Sequence, residues 1–242
     1  MGECVVSHLT ADIPSDWKGK QIASDLDFSG EGLVYDNKGN EIQGITNGAI
    51  WDPNFRRTRV IFDKNIISDL KIELWVEAAA NSLFGVFTDP DVKEDSPKKH
   101  GWFDAKVEKM KVGIFDEELW HLYLDVRILI GLIKHLDKKS VQRSRIIRSL
   151  NNAINAFGNT NKKVKDARQC LKTELEKRAS DSDLKVSAIG HAHIDTGWLW
   201  PVKETIRKCA RTFSTQLDII DKYPDYIFGA SQPQHYQFMK DY

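Results

Sequence analysis

An apolar run at residues 185–190, a helical stretch opening at Pro201 and a second apolar run at residues 226–230 follow one another in that order. Strand, helix, strand on this spacing predicts a βαβ unit, whose two strands run parallel with a right-handed crossover. Pro201 suits the first helical position, where its missing N–H is no loss. Val202, Ile206, Cys209, Phe213, Leu217 and Ile220 recur at three- and four-residue intervals and predict the buried stripe of that helix. Pro224 closes it. In parallel sheets the functional groups gather outside the carboxyl ends of the strands. The residues directly after the first run, 190–201, are therefore the place to look for chemistry.

Upstream, residues 18–104 read as strands. Ile22, Ser24, Leu26 and Phe28 alternate with polar or small residues, and residues 33–35 and 42–45 flank the turn-rich 36–40, a hairpin pattern. Residues 59–62 and 72–76 are further strands, and 90–97, with two prolines, reads as a surface loop. Residues 1–110 are thus expected to form a β-sandwich-like module. Residues 111–182 are expected to be a helical spacer. Asp116 caps a helix with the stripe Leu119, Leu122, Tyr123, Val126, Leu129, Ile130 and Ile133. Ser140 caps a second helix, ended by Gly158, and a more polar third helix spans about 162–179. Residues 180–183 are a junction. The expected fold class is α+β in three regions: the sandwich, the spacer, and from residue 183 the first βαβ unit of a parallel α/β domain.

Charge excludes some partners. The 35 basic and 35 acidic residues cancel, so no basic excess points to nucleic acid. No run approaches the roughly 18 apolar residues of a membrane span. Three widely spaced cysteines, Cys4, Cys170 and Cys209, suggest neither a disulfide framework nor a zinc knuckle. A reducing, cytoplasmic setting is the expectation.

In extended backbone, residues two apart face the same way. His191, His193 and Asp195 can therefore project toward one point, and two imidazoles with a carboxylate suit a divalent metal, zinc foremost. Spacing alone leaves the reaction open. A dinuclear hydrolase would want a second His after Asp195, where Thr196 stands, and a barrel amidohydrolase would draw ligands from later strands. Trp200 is read as core, and core is the competing reading for Trp198.

Residues 190–201, continued by 204–211 and 231–234, resemble the opening of the catalytic domain of glycoside hydrolase family 38, the class II α-mannosidases, in their cytosolic and vacuolar branch. A looser similarity extends upstream. The resemblance implies retaining, metal-dependent hydrolysis of terminal α-mannosyl residues of oligomannose glycans. It implies His193 and Asp195 as metal ligands, with zinc or cobalt bound, His191 as a supporting neighbour and Trp198 in the mannose subsite. It further implies a homo-oligomer in the complete enzyme, and a nucleophilic Asp and further ligands beyond Tyr242, so that this chain alone is expected to be inactive. Pro233 departs from the family pattern. Asp218, Asp221 and Asp225 are read as solvated rather than as substitute ligands. Two alternatives remain: a non-catalytic carbohydrate-binding or interaction module, suggested by the β-rich first region, and another His-x-His-x-Asp metallohydrolase.

Overall fold

The period-two alternation of the N-terminal region closes into two antiparallel sheets. A computed structural model describes residues 4–46, 56–62, 67–68, 70–79, 106–158, 163–177, 186–198 and 200–242. The strands are β1 (Cys4–Asp12), β2 (Ile22–Asp27), β3 (Glu31–Tyr35), β4 (Glu41–Thr46), β5 (Arg59–Ile61), β6 (Ile67–Ser68), β7 (Lys71–Ala79) and β8 (Lys109–Ile114). One sheet runs β1-β7-β3-β4, with β6 also on β7, and the other runs β5-β2-β8. Ile22, Leu26 and Val60 from the smaller sheet meet Val34, Ile45, Ile72, Leu74 and Val76 from the larger in one core. That is a sandwich packed through its inner faces.

The hairpin between β3 and β4 is local chemistry. Asp36 Oδ1 accepts from the backbone N–H of Lys38 at 2.8 Å and of Asn40 at 2.9 Å. Gly39 takes the positive φ of 86° that the turn needs. Three strands went unread in the sequence, β1, β6 and β8, so the sheets run from Cys4 to Ile114 rather than from 18 to 104. The expected loop at 90–97 lies outside the described residues, as does the junction at 180–183.

The three expected regions group into two compact units. Residues 116–186 form one, while 1–115 and 187–242 together form the other. In the helical unit, α1 (Glu117–His135), α2 (Val141–Phe157) and α3 (Val164–Leu175) pack around Leu122, Leu129, Ile146, Ala153, Ala167 and Leu171. Asp116 and Ser140 cap the first two through Leu119 N–H and Arg143 N–H. Gly158 follows α2 at φ 67°. The α1 stripe is narrower than its spacing predicts, since Leu119, Tyr123 and Ile130 are exposed.

In the other unit, the C-terminal residues supply β9 (Gly190–His191), α4 (Val202–Lys222), β10 (Phe228–Gly229) and α5 (Pro233–Asp241). β9 and β10 pair in parallel, Phe228 opposite Gly190 and Gly229 opposite His191. The strands are shorter than the apolar runs, and Val186 and Ile189 lie exposed. α4 also corrects the sequence reading. Val202, Leu217 and Ile220 are 47%, 62% and 40% exposed, whereas Glu204, Thr205, Lys208, Cys209, Ala210 and Arg211 are buried. The physical reason is its partner. α4 lies against β3 and β4, and the face it meets carries Glu31 and Glu77, so the helix buries charge against charge.

Candidate active site

The loop after β9 is held by a small set of polar side chains. Thr205, fully buried at the start of α4, donates from its hydroxyl to the Asp195 carbonyl at 3.0 Å and accepts from the Gly197 N–H at 3.0 Å. Trp200 Nε1 donates to Thr205 Oγ1 at 3.0 Å, with the Asp195 carbonyl at 3.3 Å. Gly197 turns at φ 76°, a conformation that favours glycine. From the other side Gln232 donates to the Ile194 carbonyl at 3.0 Å and accepts from the Thr196 hydroxyl at 3.0 Å. Pro233 then stands in the first turn of α5 with Gln232 as its N-cap residue, so the departure at Pro233 starts the helix and leaves Gln232 free to brace the loop.

His193 and Asp195 converge. His193 Nε2 lies 3.3 Å from Asp195 Oδ1, and both side chains reach solvent. Two metal bonds of about 2.0–2.1 Å meeting at a roughly tetrahedral angle span about that distance, so the pair fits two positions of one coordination sphere. No group of three or more His, Cys, Asp or Glu suited to a metal occurs among the described residues. His191 is turned elsewhere, with Nε2 3.5 Å from Ser231 Oγ. Trp198 is 57% exposed, its ring set edge-on to Trp200 at 5.5 Å, and so is available as a flat apolar surface. Trp200 is partly buried and is held by its hydrogen bonds rather than by a dry core.

His235 was not singled out in the sequence. It is buried, and its Nε2 lies 3.0 Å from Thr196 Oγ1. Burial, helped by the nearby His193, pushes its pKa below the ordinary histidine value. Its place on the first turn of α5, behind Gln232, could have been read from the helix that Pro233 starts. Asp218 also differs from expectation. It accepts from Arg57 at 3.2 Å and pairs with Lys222 at 2.6 Å, as an anchor of α4.

A layer of charge lies behind the loop. Lys208 Nζ reaches Glu31 Oε2 at 2.6 Å, and Arg211 reaches the same oxygen at 2.9 Å as well as Glu204. Arg207 pairs with Glu77 at 3.0 Å and with Glu204 at 3.5 Å. Lys208 Nζ also sits 4.6 Å from the centre of the Trp200 ring. Burial by itself would raise the Glu31 carboxyl pKa, but Arg211 and Lys208 outweigh it and hold the group below the usual carboxylate value.

Two family models match the chain, the glycosyl hydrolases family 38 N-terminal domain over residues 183–242 and the α-mannosidase jelly roll domain over residues 3–110. Residues 183–242 are thus family 38 sequence. The chain is 33% identical over 240 residues to Alpha-mannosidase G of Dictyostelium discoideum, covering 96% of this chain and 21% of that protein. It is 29% identical over 230 residues to Alpha-mannosidase 2C1 of Mus musculus, covering 94% and 21%. It is 30% identical over 243 residues to Alpha-mannosidase of Saccharomyces cerevisiae, with the same coverage. The chain thus spans 21% of the length of these relatives. The two-sheet module is the jelly-roll match, and the loop of His193 and Asp195 lies within the family 38 match. Among its described residues no helix is long and apolar enough to cross a membrane.

Proposed function

We propose that this chain is the N-terminal part of a retaining, metal-dependent α-mannosidase acting on terminal α-mannosyl residues of oligomannose glycans. The supporting observation is the approach of His193 and Asp195 at 3.3 Å beside an exposed Trp198, at the carboxyl end of β9. His193 Nε2 and Asp195 Oδ1 would hold a divalent ion, zinc first and cobalt second. When bound, the ion would grip sugar hydroxyls and offset charge. Trp198 would stack on the sugar face. Thr205, Trp200 and Gln232 fix the backbone that carries both ligands. His191 borders the site at Ser231 and would support it from the β10 side. The nucleophilic Asp of retaining hydrolysis and the remaining metal ligands, an Asp and a His, would come from the rest of the enzyme, and this segment would be inactive alone. β9, α4 and β10 would then be the first βαβ unit of a larger parallel α/β catalytic domain. Cytoplasmic or vacuolar residence and a homo-oligomeric complete enzyme belong to the same reading.

The test is hydrolysis of an aryl α-mannoside by the full-length enzyme. Activity should fall with a chelator, return with zinc or cobalt, and vanish in His193→Ala and in Asp195→Ala. Full activity in both variants would sink the reading. Mannose binding by residues 1–115 without any hydrolysis by the full-length enzyme would favour a carbohydrate-binding module instead. Metal-dependent release of an acyl or amide group, with aryl mannosides untouched, would favour another metallohydrolase.

A further inference from the structure

We propose that Glu31, on the jelly-roll module, is a positioning residue for the Asp195 loop, acting through Lys208 and Trp200. The metal consequence of this coupling rests on the function proposed above; the coupling itself does not.

The path is continuous. Glu31 Oε2 takes the Lys208 ammonium at 2.6 Å. Lys208 lies 4.6 Å from the centre of the Trp200 ring, a distance at which a cation is attracted to an indole face. Trp200 Nε1 reaches Thr205 Oγ1 and the Asp195 carbonyl, and Thr205 closes the loop by binding both Asp195 and Gly197. Lys208 is 8% exposed, so it cannot trade its carboxylate for water without moving. Burying a cation without its partner is costly. With Glu31 neutral, the ammonium is drawn outward and leaves the ring it steadies. Arg211 shares Glu31 but also holds Glu204, so it retains a counter-ion when Glu31 is lost. Among the described residues Lys208 pairs with no second carboxylate. The effect of losing Glu31 is thereby directed along the Lys208 branch, toward Trp200 and Asp195.

The experiment uses the full-length enzyme, which would supply the remaining ligands, with zinc as the probe metal. Amide hydrogen exchange at Gly197, whose N–H is held by Thr205, reports loop order without any metal. Glu31→Gln should speed that exchange about tenfold and weaken zinc binding by about ten- to a hundredfold, the range for residues behind metal ligands. In the full-length enzyme kcat should drop while KM for an aryl mannoside changes little. Lys208→Met should reproduce these changes, and Lys208→Arg, which keeps the charge and the ring contact, should restore them. Trp200→Phe, lacking the indole N–H, should speed Gly197 exchange with Glu31 intact. Glu31→Gln that lowers only the melting temperature, with Gly197 exchange unchanged, overturns the proposal. Faster exchange in a protein whose parent binds no zinc supports the coupling and overturns only the metal reading.

Discussion

The Gly44 backbone N–H donates to Thr215 Oγ1 at 2.9 Å, and a β-carbon on Gly44 would stand 2.6 Å from the Arg211 carbonyl oxygen. β4 and α4 therefore touch backbone to backbone, and only glycine allows it. Gly44→Ala forces the helix and the sheet apart. Overpacking of this kind costs about 1–3 kcal/mol, to be read as a lower denaturation midpoint. An unchanged midpoint would mean that α4 docks without this contact.

Arg211 is 6% exposed and Glu204 is 0% exposed. Removing one member of a buried pair is harsher than removing both, because it strands the other. Arg211→Met should destabilise by roughly 3–5 kcal/mol, and Arg211→Met with Glu204→Met by less. Equilibrium denaturation of the two variants checks the order.

Glu31 gives this fold a pH dependence of definite sign. Its folded pKa is held below 4.5, the ordinary glutamate value, so the folded state binds its proton less readily than the unfolded chain. The stabilisation is fully present above pH 4.5 and is lost as pH falls through the folded pKa. Thermal melts from pH 7 downward should show a decline that is shallower in Glu31→Gln. Parallel profiles would assign the acid sensitivity to other carboxylates.

A β-carbon on Gly190 would lie 2.2 Å from the Tyr226 hydroxyl and 2.8 Å from its ring carbon Cζ. Tyr226 also donates to Gln216 at 2.6 Å, so it cannot simply swing away. Gly190→Ala should break the pairing of β9 with β10 and displace His193. Adding Tyr226→Ala should recover part of the loss. Metal affinity and melting temperature of the single and double variants measure both effects.

What the sequence revealed depended on the kind of signal. Alternation at Ile22 and Leu26 was legible because that face of the strand meets the apolar core. Asp116, Ser140 and Gly158 were legible because caps are local chemistry. The buried face of α4 was not. Apolar periodicity assumes an apolar partner, and this helix instead meets the carboxylates of Glu31 and Glu77, which lie far away in the chain. At the site, two-residue spacing predicted that His191, His193 and Asp195 meet; His193 and Asp195 do, while His191 turns to Ser231. The bracing by Thr205, Gln232 and His235 did not, since it depends on how α4 and α5 pack around the loop.

The separation of 171 positions from Gly44 to Thr215 also sets an order of events during synthesis. The jelly-roll strands leave the ribosome first and can close their own apolar core while the helical unit is still being translated. α4, with its cationic face, emerges onto a surface where Glu31 and Gly44 already stand in register. For the helix, the older part of the chain is a template, and a misfolded sandwich would leave Lys208 and Arg211 with nothing to dock against.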